Sequence, residues 1–200
     1  MNDWHAQNSV DLQGSLHLVK TERSVLWLDM TADLDVIGGA HRVLVASNLR
    51  DLVRTRLRRK QPPQAHLSGV LRSSPALTFI EARAIEFYDH HLPGRAGVLL
   101  QGRFYLESGE PRVYVDQRGR RVEQTVLWGW VETDHPELGG RHRVLIAGDS
   151  QLDRVGDAVR RWARVEQHGP LRAQVRGVLH SGREGVFVEV RYVEFFGLPE

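Results

Sequence analysis

One stretch of this sequence occurs twice. Ser24-Val-Leu-Trp27 is followed by ten residues and then Gly38-Gly-Ala-His-Arg-Val-Leu-Val-Ala46; Thr125-Val-Leu-Trp128 is followed at the same distance by Gly139-Gly-Arg-His-Arg-Val-Leu-Ile-Ala147. Trp27 and Trp128, like His41 and His142, stand 101 positions apart. An ungapped match that includes a Trp, a glycine pair and His-Arg-Val-Leu marks an internal duplication. The 200 residues then divide into two domains of about a hundred residues each, large enough to bury a modest core. The expected boundaries are a flexible arm at 1–10, a first domain at 11–92 and a second at 93–200.

Hydrophobic alternation gives the element order within each copy. Leu12, Gly14, Leu16 and Leu18 share one face of a first strand. Leu26, Leu28 and Met30 form the apolar face of a second, which turns Trp27 to the opposite side. After Gly38-Gly39, Val43 and Val45 point inward from a third. Ser47 or Asn48 is placed to cap a helix running to Arg59, with Leu49, Leu52, Val53 and Leu57 as its apolar stripe, and Pro62-Pro63 ends it. Ala65, Leu67, Gly69 and Leu71 mark a fourth strand and Leu77 to Tyr88 a fifth. Three strands, a helix and two strands is the order of an OB-fold barrel, and Gly14 and Gly69 supply the bends a small closed barrel needs. His90 to Gly97 reads as a linker. The second copy repeats the order with an added hairpin at Glu110 to Glu123 and a longer helix segment from Ser150 to Gln167. The expected fold is all-β with one helix per repeat, two OB barrels in tandem.

Composition narrows the function classes. Cysteine is absent, which excludes disulfides, thiolate metal sites and cysteine nucleophiles and suits a reducing cytoplasm. No apolar run reaches membrane-span length and the N-terminus lacks signal-peptide character, so no membrane partner is expected. Net charge is only +2, and all but Lys20 and Lys60 of the 27 cations are Arg. Arg suits bidentate phosphate contacts and stacking on bases, so its placement carries the argument.

No catalytic constellation emerges. Asp33 and His41 recur as Asp134 and His142, but Gly148 stands where Ser47 would need its repeat mate, so no triad is duplicated. Asp89-His90-His91 lacks a further ligand at metal-binding spacing. There is no phosphate-binding or dinucleotide glycine motif. The expectation is a protein without enzymatic activity, cofactor or metal.

The face opposite the core is richer. With Leu127, Gly129 and Val131 inward, Trp128 and Trp130 point outward together. Arg103 and Tyr105 do the same on the first strand of that copy, because Leu100, Gly102, Phe104 and Leu106 point in. Arg143 follows on the third strand, and Gln174, Arg176 and His180 on the fourth. Aromatic rings interleaved with guanidiniums suit a single-stranded nucleic acid, whose bases stack while its phosphates meet cations. The first copy presents a thinner set, His17, Trp27, Arg42, His66, Arg72, Phe79 and Arg83, so the second is expected to bind more strongly. The same outward Trp and Arg residues also suit a protein interface, and a one-residue shift in parity would make Trp27 and Trp128 core residues. Trp162 in the second helix is expected to pack, and the arginines of the first helix, Arg50, Arg54, Arg56, Arg58 and Arg59, to form a solvated face, with a phosphate-contacting flank as the alternative.

The landmarks resemble those of the bacterial single-stranded DNA-binding proteins. Val98-Leu-Leu-Gln-Gly102-Arg-Phe, Glu110-Pro-Arg-Val, Gly119 before a Trp-bearing strand, His142-Arg-Val, Val175-Arg-Gly177-Val-Leu and a final Val-Arg-Tyr-Val-Glu-Phe follow that family's order. The resemblance covers nearly the whole chain and implies single-stranded DNA as partner; single-stranded RNA on the same outward face is the alternative the residues leave open. It also implies a role in replication, repair or recombination, and a homodimer that assembles four OB folds. Two features depart from the family. The hairpins between fourth and fifth strands are short, at Ser73 to Ala76 and Ser181 to Gly185, and the chain stops at Phe196-Gly-Leu-Pro-Glu200 without an acidic recruiting tail. A divergent relative with weaker binding is expected.

Overall fold

In the computed structural model, which describes residues 8–31, 39–58, 61–74, 76–115, 120–133, 140–164, 169–182 and 185–198, the two halves build the same circuit. β1 (Ser9–Glu22), β2 (Val25–Thr31), β3 (Ala40–Val45), α1 (Ser47–Leu57), β4 (Gln64–Ser73) and β5 (Thr78–Tyr88) make the first. β6 (Arg95–Val115), β7 (Arg121–Glu132), β8 (Arg141–Ile146), α2 (Asp149–Trp162), β9 (Arg172–Gly182) and β10 (Gly185–Phe196) make the second. β1 pairs with β2 and β4, β2 with β3, β3 with β5 and β5 with β4, which closes a five-stranded barrel. The pairings of β6 to β10 close another in the same order. The OB-fold expectation holds for both halves.

Period-2 alternation does the folding work. Leu12, Gly14 and Leu16 are buried while Gln13 and Ser15 between them are partly exposed, and Leu26, Leu28 and Met30 repeat the pattern on β2. Each strand so lays one apolar row inside its barrel. A single cluster of buried apolar residues runs from Leu28, Val43 and Leu67 to Leu100, Val144 and Val175. The cluster is continuous because β1 also pairs antiparallel with β6. In that pairing Val10 faces Val98, its own repeat mate, with Ser9 opposite Leu99 and Asp11 opposite Gly97 on either side. A pseudo-twofold axis therefore passes between the two valines.

Reciprocal contacts flank that axis. His41 Nδ1 lies 2.8 Å from Ser181 Oγ, and His142 Nδ1 lies 3.0 Å from Ser73 Oγ. Gly39 (φ +115°) and Gly140 (φ +119°) precede the two histidines' strands, and a Cβ on either would collide with the carbonyl oxygen of Ser181 or Ser73 in the other barrel. Only glycine accommodates both the dihedral and the approach.

Several expectations need correction. Leu18 and Leu106, expected inside, are 54% and 45% exposed. In each strand a register shift follows at once, between Leu18 and Lys20 and between Leu106 and Ser108, as the hairpin runs past the end of its barrel. β1 begins at Ser9 rather than Asp11, and the linker ends before Arg95, because both segments are drawn into the β1–β6 ladder. Residues 1–7 of the expected arm lie outside the described residues. Ser47 is already helical; the α1 cap is Ala46, with no side-chain cap bond, and Leu52 faces solvent. The expected insertion at Glu110 to Glu123 is the far end of the β6–β7 hairpin, paired from Glu110–Val126 to Val115–Arg121. α2 ends at Trp162, whose ring packs on the core cluster and whose Nε1 donates to the Gly169 carbonyl at 3.0 Å.

Candidate nucleic-acid interface

Strand register sorts the outward residues of the second barrel into rows. Arg103, Glu132 and Arg141 lie side by side across β6, β7 and β8; Tyr105, Trp130 and Arg143 form the next row, and Ser108, Trp128 and Leu145 the third. The corresponding rows of the first barrel are Ser15, Thr31 and Ala40; His17, Asp29 and Arg42; and Lys20, Trp27 and Leu44. Only the third row carries a Trp in both barrels.

The two tryptophans of β7 share the outer face, as their alternation requires, yet differ in exposure. Trp128 is 2% exposed, sealed within a small outer cluster with Val126 and Leu145 against which Ala147 and Phe187 pack. The Phe187 ring meets it edge-on at 5.2 Å and the Arg143 guanidinium lies over its face at 3.9 Å. Trp130 is partly exposed, and its Nε1 donates to Glu107 at 3.1 Å. Tyr105, 36% exposed, donates from its hydroxyl to Glu132 at 3.0 Å. The Arg141 guanidinium lies 5.3 Å from the centres of both the Tyr105 and Trp130 rings, within cation–π range.

Among the described residues Arg141, which was not among the expected phosphate ligands, makes no ion pair, whereas three that were do. Arg42 donates to Asp29 at 2.6 Å, Arg72 donates to Glu81 through Nε at 2.9 Å and Nη2 at 2.6 Å, and Arg143 Nε stands 3.7 Å from Glu107. His180, the repeat mate of Arg72, stacks on Phe187 at 5.0 Å and sits 2.9 Å from Glu189. That contact holds the Glu189 carboxyl below its ordinary value. Arg176 bonds Gln174 at 3.3 Å and its β10 neighbour is Tyr192, away from the Trp130 rows. In the first barrel Trp27 and Phe79 meet edge-on at 5.3 Å, and Trp27 Nε1 donates to Glu22 at 3.3 Å. Of the expected ligands, Arg103, Tyr105, Trp130 and Arg143 thus lie in adjacent rows with Trp128 beneath. Arg176 and the first-barrel set, Trp27, Phe79, Arg42 and Arg72, lie apart from them.

Arg141, Glu107, Glu132 and Phe187 escaped the sequence reading. Arg141 was visible as the departure from the repeat, since Ala40 is its mate; the partners of the carboxylates depend on cross-strand register. Of the catalytic candidates, His41 and His142 are buried at the contact between barrels, and Asp33 and Asp134 lie outside the described residues. Burial pushes both imidazoles down to about 4, with the nearby His180 charge adding to the effect at His41. No group of three metal-ligating side chains occurs among the described residues, nor any helix long and apolar enough to cross a membrane.

Solved structures share this architecture. The wild-type single-stranded DNA-binding protein from Thermus aquaticus superimposes with a TM-score of 0.58 at 18% identity, over 96% of this chain and 94% of that one. A deletion variant of the same protein gives 0.60 at 17% identity, over 96% and 95%. The likeness is one of fold. No family model and no curated protein matches the sequence.

Proposed function

We propose that this chain binds single-stranded DNA without sequence preference, chiefly on the outer face of the second barrel, in the service of replication, repair or recombination. Tyr105 and Trp130 stack on bases; Arg103, Arg141 and Arg143 meet phosphates. The observation that carries this reading is Arg141, a cation held between two partly exposed rings with no carboxylate partner among the described residues. In the first barrel Ala40 and Asp29 stand where Arg141 and Trp130 stand in the second, so its contribution is smaller. The fold shared with a single-stranded DNA-binding protein supports the same reading.

The test is quenching of intrinsic Trp fluorescence by a single-stranded oligonucleotide, repeated at two salt concentrations, with the matching duplex and with a ribo-oligonucleotide. Quenching by the single strand that weakens with salt, and is absent with duplex, is the expected result. Equal affinity for RNA would extend the assignment to single strands of either sugar. No quenching at low salt would sink it.

A second reading is favoured by Glu107 and Glu132, whose carboxylates oppose an anionic strand but can complement a partner surface of mixed charge. Trp130→Ala separates the two: lost DNA affinity with unchanged oligomeric state supports binding, while dissociation of an oligomer supports the interface. A homodimer of four barrels is the proposed assembly, to be checked by sedimentation equilibrium.

A further inference from the structure

Trp130, Arg141 and Arg143 have a second setting. Together with Phe187 from β10 and with Ser74 and Thr78 from the β4–β5 hairpin, they line a cleft of about 550 Å³ between the barrels. That volume falls within the roughly 300–1,000 Å³ typical of small-molecule sites. The near wall is aromatic and cationic and belongs to the second barrel; the far wall is hydroxyl-bearing and belongs to the first.

The far wall is fixed in place. Asn8 Nδ2 lies 3.1 Å from His142 Nε2, His142 Nδ1 lies 3.0 Å from Ser73 Oγ, and Ser73 Oγ lies 3.0 Å from Thr78 Oγ1. With the Asn8 amide donating, Nε2 accepts, so Nδ1–H donates to Ser73. The hairpin is thereby tied to β8, and Gly140 packs on the Ser73 backbone.

Across the pseudo-twofold axis the same positions read differently. Asp29, Ala40 and Arg42 replace Trp130, Arg141 and Arg143, and Arg42 is held by Asp29 at 2.6 Å. A carboxylate stands where the stacking ring would be, and the free-standing cation is missing. The two sides of the axis are therefore not equivalent for an anionic strand.

We propose that this cleft is a nucleotide subsite through which a bound single strand passes from the second barrel onto the β4–β5 hairpin of the first, and that the crossing occurs on this side of the axis alone. The base lies against Trp130 or Phe187, and its phosphate meets Arg141. The inference rests on the reading of the chain as a single-stranded DNA binder and adds to it a path and a direction.

The absence of cysteine makes the test direct. Ser74→Cys places one thiol on the cleft wall, and Gly182→Cys places one at the repeat-equivalent position across the axis, where a Cβ meets nothing within 4 Å. Each full-length variant is alkylated with and without oligothymidylate of about 30 nucleotides, long enough to cover more than one OB fold. At a free concentration ten times Kd the alkylation of Ser74→Cys is expected to slow about tenfold, with Gly182→Cys unchanged. Equal protection at both thiols, or none at either while Trp fluorescence still reports binding, overturns the crossing and leaves the function standing. If the oligonucleotide quenches no fluorescence and protects neither thiol, the function itself falls, and the crossing with it.

Discussion

On the outer face of the second barrel the Glu107 carboxylate accepts the Trp130 indole N–H and stands 3.7 Å from Arg143, so a phosphate approaching Arg143 competes with an anion already there. Glu107→Gln keeps an acceptor for the indole and removes the charge. Affinity for single-stranded DNA is expected to rise several-fold, and the log–log salt dependence to steepen by about 0.7, the increment for one further phosphate contact on a single strand. Titrations across a salt series check this; an unchanged slope would mean that Glu107 does not compete with a phosphate at Arg143. The two tryptophans of β7 call for opposite outcomes. Trp130→Ala is expected to lower affinity by about 1–3 kcal/mol, the range for a lost base–aromatic stack, with an unchanged melting temperature. Trp128→Ala empties a buried site and is expected to destabilise the fold by about 3–5 kcal/mol, which calorimetry would show. Alternation along β7 was enough to put both rings on the outer face. That one of them is covered depends on Phe187 and Arg143, which reach it from other strands, and no pattern within β7 reports them.

At the scale of elements, the strands whose alternation is uninterrupted were legible, and the errors fall where a strand outruns its barrel or the ladder shifts. Leu18 and Leu106 sit at repeat-equivalent points beside such a shift, so an apolar residue there extends the pattern without a core to enter. The register shift in the β4–β5 ladder, where Arg83 of β5 is passed over between Ala82 and Ala84, has its counterpart on β10, where Arg191 is passed over between Val190 and Tyr192. Near each, a glycine lies against the neighbouring strand: a Cβ on Gly69 would press on the Glu81 carbonyl oxygen, and one on Gly177 would collide with that of Glu189. Both glycines were visible in the sequence as the repeated Gly-Val-Leu, and Gly69 was read as a bend; the contact that requires it is non-local. Gly177→Ala is expected to destabilise by about 1–3 kcal/mol, as overpacking does. Gly182→Ala on the same strand, with open space around it, is expected to change stability by less than about 0.5 kcal/mol. Equal effects in chemical denaturation would contradict the close approach.

For the molecule as a whole, the duplication was read from a dozen residues, but the joining of the barrels was not, because β1 and β6 each look like an ordinary half-buried strand until they pair. The histidines that recur in both copies turn out to serve that junction, and their burial links its stability to pH. In the unfolded chain both imidazoles titrate near the ordinary 6.5, whereas in the folded protein they stay neutral down to about 4. Between those values the unfolded chain binds more protons, so acid favours unfolding. The contribution of each neutral histidine is complete above about pH 6.5 and is withdrawn as the pH falls toward 4, on the order of 3 kcal/mol per site. The melting temperature is therefore expected to stay level at neutral pH and to drop steeply between about 6.5 and 4, before the bulk of the carboxylates protonate. The double variant His41→Gln and His142→Gln removes both titrations and is expected to flatten that window while keeping the acid limb below it. A wild-type curve that stays level down to pH 4 would mean the imidazoles are solvated, which the contacts to Ser181 and Ser73 exclude if the barrels remain joined. Loss of the β1–β6 contact in solution would produce such a curve, so the same titration also tests whether the two barrels act as one folding unit.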